Sequence, residues 1–288
     1  MFAIFSVYFP NPNSYMQSSV KTLLVLAGLL SGFTSQAQRQ LVKLWESDST
    51  LAIPESVLPD KDVLYVSLID GAPWDTDGRG GIAKLDRNGK ILNASWVSGL
   101  HAPKGMGIWR GNLYVADVSE VAVINLATGK VDTKIPVQAA TGLNDITIDD
   151  QGTIYVSDSK EGKVHQIKNG QATLYLSDAK GVNGLKSVGR DLYVLSKEVV
   201  KVGPDKKQSV VGNLELGGDG IEPTGKDEFI ISSWGGVVYH LAKDGKVQTL
   251  LDTRSQKKNT ADIGYDARQG ILYVPTFMAK SVVAYQLK

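Results

Sequence analysis

A short apolar segment recurs six times along the chain, and this recurrence constrains the fold more than any other feature of the sequence. The six segments are VLYVSL, NLYVAD, TIYVSD, DLYVLS, EFIISS and ILYVPT. Runs of β-branched and aromatic residues bounded by turn residues are typical of strands buried on both faces. A period of roughly 40 residues with strand-like segments in every unit indicates a propeller. We therefore predict an all-β fold, a six-bladed β-propeller with four-stranded blades.

The last repeat unit has too few strands to complete a blade. It supplies three predicted strands, near Asp262–Asp266, Ile271–Pro275 and Ser281–Leu287. The segment Leu41–Trp45 precedes the first inner strand and resembles the outer strands of the other units. Pairing it with the last unit would remove the open edges of the ring. We expect the ring to be closed by this N-terminal strand pairing with the C-terminal blade.

A polar residue precedes each apolar segment at a nearly constant distance. Equivalent positions in the blades of a propeller converge on its central channel. We therefore expect six side chains from distant segments to form one axial site. These axial residues are Glu55, Lys104, Asn144, Asn183, Asp219 and Asp262.

Four of the axial residues offer hard oxygen donors. Glu55 and Asp219 supply carboxylates, and Asn144 and Asn183 supply amide oxygens, with no thiolate or imidazole among them. Ca²⁺ accepts such mixed oxygen ligands in flexible geometry, and two carboxylates offset its charge. Zinc sites more often contain His or Cys. The donor set favours Ca²⁺ as the cofactor, or another divalent cation.

Short motifs at these positions resemble the gluconolactonase and regucalcin family. The motifs are Ile53-Pro-Glu-Ser-Val57 before the first blade, Asn144-Asp145 in the third, Asn183-Gly-Leu185 in the fourth and Asp219-Gly220 in the fifth. The order Glu, Asn, Asn, Asp is similar to that of calcium-binding six-bladed hydrolases more widely, including diisopropyl fluorophosphatase and the serum paraoxonases. The resemblance covers essentially the whole chain after its N-terminal segment.

The resemblance implies a metal at the bottom of a central pocket and hydrolytic chemistry. Glu55, Asn183 and Asp219 would ligate the metal, with Asn144 as a further ligand or a substrate contact. Bound Ca²⁺ acts as a Lewis acid toward a lactone carbonyl or a phosphoryl oxygen. Asp219 is the expected catalytic residue, as nucleophile or general base, because a carboxylate beside the metal can attack or take a proton from water. The expected function is an exported gluconolactonase-type hydrolase of a lactone or ester-like small molecule.

Lys104 departs from the pattern of these hydrolases, since paraoxonase-like enzymes resemble one another in having a His there that is thought to transfer protons. Two interpretations remain open. Lys104 binds an anionic group of the substrate, or it pairs with Glu55 or Asp262 in a charge network that replaces the metal. The second interpretation favours an alternative function, a non-catalytic propeller that binds a small ligand or a protein partner.

Two further segments are expected to shape access to the pocket. His101, three residues before Lys104, is a candidate acid or base and substrate contact, although a plain loop role is commoner. The loop 70–81 is longer than its counterparts and is expected on the face where the inner strands begin. We expect it to cover the pocket, with Trp74 as an apolar contact to the substrate, or else to be a long loop without function.

The N-terminus has the composition of a signal peptide. Lys21 is followed by an apolar run from Thr22 to Leu30 and then by Ser35-Gln-Ala37, a small-x-small pattern that precedes signal-peptidase cleavage. We expect translation to start at Met16, cleavage after Ala37 and a periplasmic or secreted protein. The run is short for a membrane span, and the chain has no Cys for lipid attachment, so no membrane anchor is expected after cleavage.

Charge and length narrow the remaining possibilities. Basic and acidic residues number 31 and 30, so no global field favours nucleic acid or an anionic membrane as a partner. No linker interrupts the repeat, and residues 38–288 are therefore expected to form a single domain. The expected partner is a small-molecule substrate.

Overall fold

A computed structural model describes residues 2–3, 6–7, 39–225 and 227–288. The expected signal segment, 1–37, lies almost wholly outside these residues and stays a prediction. Residues Arg39–Lys288 form one compact unit. Within the described ranges, no helix combines the length and the apolar character that a membrane crossing requires.

Six four-stranded antiparallel sheets make up this unit, which confirms the predicted six-bladed propeller. Blade 1 contains β2 (Pro54–Asp60), β3 (Val63–Leu68), β4 (Gly80–Asp86) and β5 (Ile91–Leu100). Blade 2 contains β6 (Pro103–Trp109), β7 (Asn112–Asp117), β8 (Glu120–Asn125) and β9 (Val131–Pro136). Blade 3 contains β10 (Leu143–Ile148), β11 (Ile154–Asp158), β12 (Lys163–Lys168) and β13 (Gln171–Leu176). Blade 4 contains β14 (Leu185–Val188), β15 (Asp191–Leu195), β16 (Glu198–Val202) and β17 (Gln208–Asn213). Blade 5 contains β18 (Ile221–Gly225), β19 (Glu228–Ser233), β20 (Val237–Leu241) and β21 (Val247–Asp252).

Blade 6 joins the two ends of the described unit. It contains β22 (Gly264–Asp266), β23 (Ile271–Pro275), β24 (Val282–Leu287) and, outermost, β1 (Leu41–Glu46). Strand β1 pairs antiparallel with β24, as the sequence predicted. Two short 3₁₀ helices, Arg254–Gln256 and Phe277–Ala279, lie in loops of blades 5 and 6.

The core consists of apolar clusters between neighbouring sheets. Each of six clusters takes its residues from two adjacent blades, for example Val115 of blade 2 with Ile82 of blade 1, and Phe229 of blade 5 with Tyr193 of blade 4. The apolar segments of the sequence repeat are the second strands, and both of their faces enter these clusters. This is the packing that produces near-continuous apolar runs.

The six axial residues occupy one structurally equivalent position. Each lies two residues before a residue that pairs with the second strand of its blade; these pairs are Val57–Val66, Met106–Val115, Ile146–Val156, Leu185–Val194, Ile221–Ile231 and Gly264–Tyr273. In blades 1 to 3 the axial residue lies within an irregularity of the inner strand. Such bulges re-aim side chains. The sequence repeat revealed the shared position but not the bulges.

Candidate functional site

Hydrogen bonds link axial residues of neighbouring blades. Nδ2 of Asn183 donates to Oδ1 of Asp219 at 2.6 Å. Across the closure of the ring, Oγ of Ser56 donates to Oδ2 of Asp262 at 2.5 Å. The backbone of Ser56 also forms a parallel bridge with Asp262, and the Asp262 amide donates to the carbonyl of Glu55. These bonds join blade 4 to blade 5 and blade 6 to blade 1 at the level of the axial residues.

In blades 2, 4 and 5 the residue after the axial position packs against the next blade. Gly105, Gly184 and Gly220 occupy this place in blades 2, 4 and 5, and a Cβ at any of them would collide with Asp145, Asp219 or Asp262 respectively. None of the three has a positive φ, so the requirement is for close approach rather than for backbone freedom. Absence of a side chain here lets the inner strands approach.

Serine hydroxyls on the second strands hold this ring of backbone together. Oγ of Ser157 accepts the Asp145 amide and donates to the carbonyl of Asn183 at 2.7 Å. Ser232 repeats the arrangement in blade 5, bridging the Gly220 amide to the carbonyl of Ala261. Each serine thus ties an axial segment to that of the next blade, which fixes the spacing between axial side chains.

The carboxylates of Glu55 and Asp219 are buried without complete hydrogen bonding. The two residues are only 5% and 3% exposed, and Oε2 of Glu55 and Oδ2 of Asp219 have no hydrogen-bond partner among the residues that the structure describes. Burial raises the pKa of Glu55 well above its ordinary value, and the nearby Asp219 raises it further. Burial and the neighbouring Asp262 raise the pKa of Asp219 to about 8. An unpartnered charge in such a place is costly, so the pair favours a bound cation.

The two axial amides present oxygen rather than nitrogen. Nδ2 of Asn183 is engaged by Asp219, and Nδ2 of Asn144 donates to Oγ of Ser159 at 3.0 Å. Among the described residues no donor reaches the amide oxygen of either side chain. Carboxylate and amide oxygens are the kinds of donor that a hard cation such as Ca²⁺ prefers. The residues present therefore fit the implied metal.

Lys104 does not form either of the expected ion pairs. Its Nζ donates to the carbonyls of Pro73 at 2.5 Å and Ala102 at 2.9 Å. No carboxylate of the described ranges lies within 4.0 Å of this ammonium group. Burial lowers the pKa of Lys104 to about 8, against the longer-range attraction of Glu55 and neighbouring acids. The direct charge network with Glu55 or Asp262 is not formed.

The long loop of blade 1 lies against Lys104. It spans residues 69–79, slightly less than the predicted 70–81, because β4 begins at Gly80. Besides the Pro73 carbonyl, it brings the Trp74 ring to 4.1 Å from Nζ of Lys104, measured to the ring centroid. The loop covers the axial residue Lys104. That it covers a substrate pocket, and that Trp74 contacts a substrate, stay predictions.

His101 lies beside the turn between β7 and β8. One potential ligand atom from each of His101, Asp117 and Glu120 lies within 4.8 Å of the other two. The Asp117 carboxylate accepts the backbone amides of His101 and Ala102, and Glu120 pairs with Lys134. These bonds explain the cluster as a support for the loop before β6, and an acid or base role for His101 stays a prediction.

Strained backbone flanks the axial site. Ile53 and Val118 have φ of 58° and 59°, which β-branched residues rarely adopt. Phe277, with φ of 49°, packs with both in one apolar cluster. Strain of this kind persists only where the surrounding packing enforces it, and it is frequent beside functional sites. Here the strained turn at Ile53 leads directly into Glu55.

Two polar groups at the axis were not predicted from the sequence. Asp145 is buried, and its two carboxylate oxygens accept the amides of Ile146 and Leu185, each at 2.6 Å. Farther along the inner strands, Lys186 and Glu222 form an ion pair at 2.7 Å. Asp145 directly follows Asn144, so its place after an axial residue was the available signal. The sequence contained no signal for the ion pair, because Lys186 and Glu222 come from different blades.

The comparisons with known proteins identify the fold. No protein-family model matches the chain, and no curated protein matches its sequence. A streptogramin B lyase matches with a TM-score of 0.62 and 10% identity over 87% of this chain and 98% of the lyase. An inactive variant of virginiamycin B lyase from Staphylococcus aureus, solved with quinupristin, matches with a TM-score of 0.60 and 12% identity over 87% of this chain and 99% of the lyase. A protein proposed to be a gluconolactonase matches with a TM-score of 0.63 and 14% identity over 88% of this chain and 93% of that protein. At these identities, what the chain shares with the three proteins is their fold.

Proposed function

We propose that the protein is a Ca²⁺-dependent hydrolase of a lactone or ester-like small molecule. The observation that carries the proposal is the pair of buried, unpartnered oxygens, Glu55 Oε2 and Asp219 Oδ2. Asn144 and Asn183 would complete the ligand set with their amide oxygens. The fold likeness to a proposed gluconolactonase and to two lyases supports an enzymatic propeller. Export to the periplasm or the medium is part of the proposal and rests on the sequence of residues 1–37.

The chain's own residues supply positioning and proton transfer. When bound, Ca²⁺ would polarise the carbonyl under attack and stabilise the negative charge that develops on it. Asn183 fixes the orientation of Asp219 by occupying its Oδ1, which leaves Oδ2 free. Asp219 would take a proton from the attacking water or attack the carbonyl carbon itself. The loop 69–79 would exclude bulk water from the site.

The proposal is tested by lactone cleavage in the presence and absence of metal. Purified protein is expected to hydrolyse glucono-δ-lactone or another simple lactone, followed by proton release. Chelation should abolish the activity, and added Ca²⁺ should restore it. A folded protein whose ligand affinity survives chelation, and which cleaves no lactone with Ca²⁺ present, would instead support the non-catalytic binding alternative.

A further inference from the structure

Two lysines share one tryptophan ring beside the axial site. Nζ of Lys104 lies 4.1 Å from the centroid of the Trp74 ring, and Nζ of Lys160 lies 5.2 Å from it. Blade 1 contributes Trp74 from its long loop, blade 2 contributes Lys104 from β6, and blade 3 contributes Lys160 from the turn after β11. Among the described residues no carboxylate lies within 4.0 Å of either ammonium group. Positive charge is gathered here without a local counter-ion.

Lys104 is held in place and retains one donor. An ammonium group has three N–H donors, and the carbonyls of Pro73 and Ala102 use two of them. The residue is only 2% exposed, so water does little to solvate the remaining N–H. A buried cation with an unused donor is costly unless an acceptor is supplied. An anionic group of a ligand is such an acceptor.

The carboxylates that act on Lys104 at longer range are committed elsewhere. They belong to Glu55 and Asp117. Asp117 accepts the backbone amides of His101 and Ala102. Glu55 offers its free oxygen to the proposed cation. Neither carboxylate lies within ion-pair distance of Lys104, so the preference for an anion does not require the cation.

Lys160 brings a second charge to the same place. Its side chain is exposed, and its stem lies over Gly142, which has no Cβ to obstruct it. Its neighbour Ser159 accepts the hydrogen bond from the axial Asn144. The two lysines repel each other, and a shared anion would relieve that repulsion. The lysine pair therefore adjoins the proposed ligand set.

We infer that Trp74, Lys104 and Lys160 form an anion subsite at the mouth of the axial site. The substrate then carries a carboxylate or phosphate group besides its hydrolysable bond. This inference rests on the proposed function for the hydrolysable bond, whereas the anion preference rests on the geometry of the three residues.

The subsite is tested with rings that cannot be hydrolysed. The probes are tetrahydrofuran-2-carboxylate, tetrahydrofurfuryl phosphate and the neutral tetrahydrofuran-2-carboxamide. Binding is followed by tryptophan fluorescence, and the signal is assigned to Trp74 by its loss in Trp74→Phe. At least one anionic probe is expected to bind about tenfold more tightly than the amide, since charge-assisted hydrogen bonds are the strong ones. The ratio between the two anions shows which group the subsite prefers.

Variants of the two lysines show which side chain produces the preference for anionic probes. Lys104→Met should remove most of it, and Lys160→Met should reduce it by about two- to threefold, as expected for an exposed charge. Lys160→Met tests the subsite without disturbing a buried position. The matched control is Lys246→Met, because Lys246 is an exposed lysine paired with Asp244 in blade 5. The control should keep the full preference.

Equal binding of charged and neutral probes, or no response to any probe at millimolar concentration, would overturn the inference. Failure of the proposed function gives a different result. In that case the anion preference persists in a protein that neither binds Ca²⁺ nor cleaves lactones. Conversely, Ca²⁺-dependent cleavage of neutral and anionic lactones at equal kcat/KM would contradict the anion subsite and support the proposed hydrolase.

Discussion

Buried acidic residues at the axis lower the stability of the metal-free protein. Burial and mutual repulsion raise the pKa of Glu55, Asp145, Asp219 and Asp262, so each resists ionisation in the folded, metal-free protein. The values for Asp219 and Asp262 rise to about 8 and about 7. Sites that bind ligands commonly carry such a cost, because their groups are arranged for the ligand rather than for each other.

The metal-free protein should become less stable as the pH rises through this range. Between the ordinary aspartate pKa of 3.8 and about 8, folded Asp219 keeps a proton that the unfolded chain has lost. The folded state then binds more protons, so the free energy of unfolding falls with increasing pH. Thermal unfolding in the presence of chelator should show this fall, and Asp219→Asn should flatten it.

The comparison with Asp219→Asn also separates the effect from other titrating groups. Burial lowers the pKa of His165 and His240, which adds stability as the pH rises, and both residues are present in the two proteins. Asp150→Asn, on an exposed turn, is the control and should keep the wild-type slope. Identical pH profiles for wild type and Asp219→Asn would show that Asp219 is not held protonated.

The positions of the site residues were predictable, but their partners were not. A constant offset from the apolar repeat located Glu55 and Asp219, because every blade uses the same register. Two hydrogen bonds depend on contacts between blades: Asn183 donates to Asp219, and Lys104 donates to the Pro73 carbonyl. A repeat pattern contains no information on how one blade's loop meets the next blade's inner strand.

Inner strands act as the elements that set the spacing at the axis. A glycine after the axial residue allows each of β14 and β18 to approach its neighbour closely. The bulges in β2, β6 and β10 re-aim the side chains of these strands at the axis. For the last blade the sequence predicted an inner strand near Asp262–Asp266, and β22 begins two residues later, at Gly264. Bulges escape prediction here because the extra residue lies at the start of each short strand, where too few residues precede it for a shift in the alternation to be visible.

Gly220→Ala should destabilise the protein by about 1–3 kcal/mol, as overpacking of a filled interior does. The new Cβ would collide with the Asp262 carboxylate and the Ile263 amide. Urea unfolding measures the change. Gly225→Ala is the matched control, because Gly225 ends the same strand β18 and its nearest contact would be at an ordinary 3.8 Å. Equal unfolding midpoints for the two variants would contradict the close-approach argument.

For the whole molecule, closure of the ring holds the six blades in one register around the axis. Strand β1 completes blade 6, and Trp45 on that strand packs into the cluster between blades 6 and 1. The Trp45 ring lies 5.9 Å from that of Tyr273, measured between centroids. With no cysteine in the chain, closure depends on such packing and on the β1–β24 hydrogen bonds.

Trp45→Ala should lower the free energy of unfolding by about 3 kcal/mol, in the range for truncation of a packed aromatic side chain. Leu44→Ala is the control on the same strand, because Leu44 is 47% exposed. The control should change stability by less than about 0.5 kcal/mol. If urea unfolding showed a loss below about 0.5 kcal/mol for Trp45→Ala as well, β1 would contribute through its backbone alone.

Calorimetric titration of the purified, metal-free protein with Ca²⁺ tests the central claim most directly. We expect one site per chain, tighter binding at pH 8 than at pH 6 because protons compete for Glu55 and Asp219, and at least about a tenfold loss of affinity in Asp219→Asn, as even outer partners of metal sites matter on that scale. Absence of Ca²⁺ binding at millimolar concentration, or unchanged binding in Asp219→Asn, would contradict it.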